Sequence, residues 1–185
     1  MIPRTHSLIA HIVYNYIFLK TDFKLDYDAF KQGNILPDFN KTYVNCQHTL
    51  EDSLNTIERY SKKLIKSTLS IEDFSKGLGV VCHFTCDYFC LYHRKELWRT
   101  DYIAHGIYEI NLHREFIKLL ESEGIKINYK HKKASSITDI ILNLQRKYIL
   151  EEKSINTDIT YSLIAAATVS EFLINKKAPA IMPEL

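Results

Sequence analysis

Between Cys82 and His93 the chain reads CHFTCDYFCLYH, an apolar run holding two histidines and an aspartate. Imidazole nitrogens and carboxylate oxygens are ligands for zinc and similar ions. On a helix turning about 100° per residue, His83 and Asp87 share one face a turn apart, and His93 projects roughly 120° round from Asp87. Such a helix can serve two adjoining metals. Each of these side chains taken alone also fits a plainer role, the histidines as hydrogen-bonded core residues and Asp87 as an ion-pair partner. The pattern recurs downstream, where His105 and Glu109 repeat the i, i+4 arrangement. Upstream, His6, Asp38 and His48 lie among apolar or turn-forming neighbours, where a buried polar side chain needs a partner. A metal ion would supply one to all of them.

The elements that must position these residues read as helices. In 185 residues there are only five glycines and four prolines, with no linker, low-complexity tract or internal repeat. This predicts an all-α fold, a multi-helix bundle with residues 1–185 as one domain. Apolar positions recurring at three and four predict a first helix from His6 to Leu19, with Thr5 as N-cap and His6 in its first turn. His11 falls about 140° from His6 on that wheel, so the two cannot face one site. His6 is taken as the ligand and His11 as a core residue. A short helix over Asp26–Gln32 is expected to break at Gly33-Asn34-Ile35-Leu36-Pro37, which puts Asp38 on a loop. His48 and Thr49 open a helix over Leu50–Ser67, with Thr49 and Asp52 at capping-box spacing. The next helix starts at Ser70, with Asp73 as reciprocal cap, and runs through Gly77 and Gly79 into the histidine stretch. Glycine inside a helix costs about 1 kcal/mol relative to alanine, so something must pack closely there. A helix from Tyr102 to Glu121, ending near Gly124, carries His105, Glu109 and His113 in one ladder, three candidates for two places. His131 in YKHKK reads as exposed. Helices over Ser136–Glu151 and Asn156–Asn175 complete the core.

A net charge of +2, spread along the chain, argues against a nucleic-acid partner. The pairs Lys62-Lys63, Lys132-Lys133 and Lys176-Lys177 read as solvated helix ends. Cys82, Cys86 and Cys90 follow one another along one helix face with Cys46 apart, a spacing that staples nothing. They read as small core residues or as auxiliary zinc ligands. The N-terminal run has no small-residue cleavage site and is broken by His11 and Asn15, so neither a signal peptide nor a membrane span is expected. With unpaired cysteines this points to a cytoplasmic protein, a membrane-surface role for the first helix staying open.

The ordered set His6, Asp38, His48, then H-x3-D-x5-H at His83, Asp87 and His93, then H-x3-E at His105 and Glu109, resembles the bacterial zinc-dependent phospholipase C family. Clostridial alpha-toxin-like enzymes belong to it, and the fungal single-strand nucleases share its framework. The resemblance covers most of residues 5–113, and Gly79 matches a glycine expected four residues before the first histidine of the run. It implies two or three zinc ions. His48, His83 and Asp87 would hold one, and His93, His105 and Glu109 another. His6, Asp87 and the N-terminal amino group would hold a third; secreted members free that amine by removing a signal peptide, whereas this sequence starts at Met1. Asp38 resembles the carboxylate that touches metal and positions or deprotonates the attacking water. The implied reaction is hydrolysis of a phospholipid, or another phosphodiester, to diacylglycerol and a phosphorylated head group, with transient contact at a membrane surface and aromatics such as Phe39 near the entrance. A zinc-dependent nuclease and a non-catalytic zinc-stabilised helical protein are the alternatives.

Overall fold

The computed structural model describes residues 1–21, 23–40, 46–98, 100–122, 127 and 134–181, with only the helical backbone for 178–181. Gly124, His131, Lys132 and Lys133, whose placement was expected from sequence, lie outside the described residues. Among those described the architecture is all-α. The helices are α1 (Pro3–Thr21), α2 (Tyr27–Phe39), α3 (Leu50–Lys66), α4 (Ile71–Asp87), a 3-10 turn (Leu91–His93), α5 (Tyr102–Ser122), α6 (Ile137–Tyr148) and α7 (Ile155–Ile181). No described helix is long and apolar enough to cross a membrane.

Helix α4 is the axis of the bundle, and Phe74 to Asp87 is buried along it but for Lys76. Its start follows the sequence reading, with Ser70 Oγ accepting from Asp73 N at 3.0 Å. Helix α7, rich in buried alanine and branched residues, packs on α4, α1 and α6, and α2 and α3 cover the other sides. Helix α1 begins earlier than expected because Pro3 suits a first helical turn, so Thr5 lies inside it and is buried. His11 is exposed, beside Asn15 and Tyr27, rather than in the core.

Two expected boundaries are corrected. Helix α2 does not break at Gly33; it continues through Pro37 to Phe39, closed by Asn40 N donating to Leu36 O at 2.9 Å. Pro37 denies the Gly33 carbonyl its helical N–H, but only Asp38 and Phe39 of the helix follow it, so Asp38 stands in a last helical turn, not on a loop. Helix α4 ends at Asp87 instead of running to His93. Its terminal carbonyls are taken by distant side chains: Ser162 Oγ donates to Cys86 O at 3.0 Å, and Gln145 Nε2 to Tyr88 O at 2.5 Å. The wheel angle assigned to His93 therefore does not apply. Lys177 is likewise no solvated end. Buried, it donates to Ile65 O and to Ser67 O at 2.5 Å, the negative end of α3.

Gly33 and Gly79 face each other where α2 crosses α4. A Cβ on Gly79 would fall 2.9 Å from Asn34 N and 2.9 Å from Gly33 Cα, and nearer still to Phe30 O. Gly106, in α5, has open space where its Cβ would be. Gly79→Ala is therefore expected to lose about 1–3 kcal/mol or more, whereas Gly106→Ala gains about 1 kcal/mol. Urea unfolding measures both, and changes of the same sign would contradict this account of the crossing.

Candidate metal centre

The crossing of α2 and α4 sets the first site residue. Gly79 and His83 lie one turn apart on α4, so the face that admits the α2 backbone also meets its carbonyls. His83 Nδ1 donates to Asn34 O at 2.8 Å, which fixes the tautomer and leaves Nε2 with its lone pair aimed inward. One turn further on, Asp87 is fully buried.

Five groups from separate parts of the chain meet that carboxylate. The α-amino nitrogen of Met1 lies 2.7 Å from Asp87 Oδ1, and His6 Nε2, from α1, 3.3 Å from the same oxygen. His48 Nδ1, just ahead of α3, lies 2.8 Å from Oδ2, with His83 Nε2 at 3.3 Å and His93 Nδ1 at 3.5 Å. His6 and His83 stack with centroids 3.9 Å apart. Asp38 Oδ1 is 3.9 Å from His83 Nε2.

A second cluster adjoins the first through His93. Its Nε2 is 3.0 Å from Glu109 Oε1 and 3.0 Å from the Met1 nitrogen, and that nitrogen is 2.9 Å from Glu109 Oε1. His105 Nε2 reaches the same Glu109 oxygen at 2.9 Å. The structure thus brings together all eight residues singled out from the sequence. His113 turns elsewhere and meets Thr5 Oγ1 at 3.1 Å.

Within these clusters, four groups place ligand atoms within 4.8 Å of one another: His6, His83 and Asp87; Asp38, His48 and His83; His48, Asp87 and His93; and Cys90, His93 and Glu109. The N-terminal amino group that the resemblance sets with His6 and Asp87 lies beside them and also reaches Glu109; of the three cysteines left open as core residues or auxiliary ligands, Cys90 joins one of these groups. Cys90 lies past the end of α4, so the expected cysteine face of one helix does not exist. Cys82 and Cys86 are buried and free, as core residues. Trp98 was missed; it stacks on His48 and lines, with Met1, Pro37, Asp38, His48, His93, His105 and Glu109, a cavity of about 240 Å³.

The family model of zinc dependent phospholipase C matches residues 5–155, a span that includes the eight residues. The chain belongs to the zinc dependent phospholipase C family. No curated protein and no solved structure matches it.

The donor chemistry fits the family's metal. Burial, reinforced by His83, lowers His6 to about 3, and burial lowers His93 to about 4, so both imidazoles are neutral at physiological pH. Burial alone would lift the Asp87 and Glu109 carboxyls. His93 and the Met1 ammonium hold Asp87 well below its ordinary range, and that ammonium with His105 and His93 does the same for Glu109. Neutral imidazoles beside ionised carboxylates are the state in which these groups ligate zinc. Both nitrogens of His6, Nδ1 of His93 and Oδ2 of Asp38 are buried without a hydrogen-bond partner; a neutral imidazole offers a single lone pair, so cations at these groups would partner Asp38, His93 and one nitrogen of His6.

The same directions fix a pH dependence for the metal-free chain. Unfolded histidine titrates near 6.5, so between that value and about 3–4 the unfolded chain binds protons that folded His6 and His93 refuse. The contribution of Asp87 and Glu109 is also lost as pH falls. Metal-stripped protein should show a melting temperature that drops steadily from pH 7 to pH 5; an unchanged value would contradict the assigned protonation states.

Proposed function

We propose that residues 1–185 form one catalytic domain, a zinc-dependent phosphodiester hydrolase of phospholipase C type. The observation that carries this is the double cluster around Asp87 and Glu109, joined by His93 and open to a cavity that also exposes the Asp38 carboxylate. His48, His83 and Asp87 would hold one zinc and His93, His105 and Glu109 a second; His6, Asp87 and the Met1 amine are suited to a third. Zinc bound there would lower the pKa of a water and stabilise charge on the phosphoryl oxygens.

The chain's own residues supply the rest. Asp38 lines the cavity, and burial raises its carboxyl above the ordinary range, which suits it to accept a proton from the attacking water. Asn34 O holds His83 in one tautomer through Nδ1. Trp98 walls the cavity and limits water. Phe39, directly after Asp38, is 73% exposed and suited to meet an acyl chain or a membrane surface. Phospholipid is the favoured substrate, split to diacylglycerol and a phosphorylated head group.

Three substrates separate the readings: a chromogenic phosphocholine ester, micellar phospholipid and single-stranded DNA. Hydrolysis of the first two, lost on chelation and restored by zinc, is expected. Asp38→Asn should lower the rate by about 100-fold or more while zinc content stays unchanged. Activity on DNA alone would favour a nuclease, and full zinc content with no turnover would leave a structural metal protein.

A further inference from the structure

Asp158 lies beyond the residues matched by the family model, in the first turn of α7, and is 2% exposed. Its Oδ2 accepts from Leu91 N at 2.7 Å and from the Tyr108 hydroxyl at 2.6 Å, and its Oδ1 accepts from the Tyr148 hydroxyl at 2.6 Å. Leu91 opens the 3-10 turn that ends in His93. Tyr108 immediately precedes Glu109 on α5. One carboxylate oxygen therefore ties together the two elements whose side chains meet at 3.0 Å in the second cluster.

The two elements also touch through Tyr92, whose ring stacks on His105 and lies against Tyr108, but both are thinly anchored in the core. The only described residues that α5 buries fully are Leu112 and Phe116, both on the C-terminal side of Glu109. The turn carrying His93 is a single 3-10 turn, whose hydrogen bonding is poor by geometry. Hydrogen bonds to an ionised, buried carboxylate are about twice as strong as neutral ones, and here they join two weakly held pieces to the rigid α7. Both Asp158 oxygens are occupied by these donors, so it acts from outside the site.

We propose that Asp158 is a positioning residue for the metal site built on His93 and Glu109, setting their separation through Leu91 and Tyr108. This rests on the reading of His93 and Glu109 as zinc ligands. Tyr148 supplies the internal control. Its hydroxyl binds the same carboxylate, but it comes from α6, which contributes nothing to the clusters. Tyr108→Phe and Tyr148→Phe each remove one buried hydrogen bond to Asp158 and should lower the melting temperature similarly. Only Tyr108→Phe touches the link to Glu109.

The experiment loads wild type, Asp158→Asn, Tyr108→Phe and Tyr148→Phe with zinc, measuring stoichiometry and affinity, and with cobalt, recording the visible absorption bands of the bound ion. Asp158→Asn and Tyr108→Phe are expected to weaken one ion by about tenfold or more and shift its cobalt bands, leaving the other ion unchanged. The double variant should be no worse than Asp158→Asn alone. Tyr148→Phe should keep wild-type affinity and spectrum. Should Asp158→Asn fail to fold, Tyr108→Phe decides. Wild-type metal binding in Tyr108→Phe, or an equal loss in Tyr148→Phe, overturns the positioning role and spares the metal reading. A wild-type chain that binds no zinc overturns both.

Discussion

The carboxylate of Asp87 is withdrawn completely from water at the middle of a helical bundle. A buried charge without partners costs several kcal/mol, and everything around it is arranged against that cost. Its two oxygens are approached by the Met1 amine and by His6, His48, His83 and His93, brought by the chain start, α1, the approach to α3, α4 and the turn after it. The imidazoles bring hydrogen-bonding atoms but, with His6 and His93 held neutral, little charge. Asp87 and Glu109 together carry two negative charges against one ammonium. The cluster is short of positive charge, and divalent cations correct that while using the lone pairs of the same imidazoles.

That arrangement depends on how near α2 can come to α4. With any side chain at Gly33 or Gly79 the helices would stand further apart, and Asn34 O would lose its reach to His83 Nδ1. The glycines and the histidine tautomer are one device. It also explains why the helix tolerates glycine in its interior, where the entropic penalty is accepted for the close approach of the α2 backbone at Phe30 and Asn34.

Much of this was legible in the sequence, and the parts that were not share a physical cause. The eight clustered residues were visible because histidine and carboxylate in apolar segments are costly unless partnered, and the helix start at Ser70 was visible because capping is local. The end of α4 was not, since Ser162 and Gln145 cap it from afar and no glycine or proline marks it. At Asp38 the local signal misled: Gly33 is there for close approach and Pro37 sits where a helix can absorb it. Asp158 was not singled out, because its three partners come from positions distant in sequence. His11 and Lys177 were misplaced for a similar reason, as neither the open side of α1 nor the exposed carbonyls at the end of α3 can be read from residues nearby.

The lining of the cavity bears on the choice among substrates. Among the described residues the lining, Met1, Pro37, Asp38, His48, His93, Trp98, His105 and Glu109, includes two carboxylates and no lysine or arginine side chain. An anionic phosphodiester approaching this wall without metal would meet net negative charge and one ammonium. Were zinc held there as proposed, the attraction for a phosphate would come from the ions themselves. A nucleic acid strand carries further phosphates that need cations along a groove, and the described residues lining this cavity provide only the Met1 ammonium. On the proposed reading, a substrate with one phosphodiester and an apolar remainder fits that distribution of charge, with Trp98 in the cavity wall and the exposed Phe39 next in sequence to Asp38.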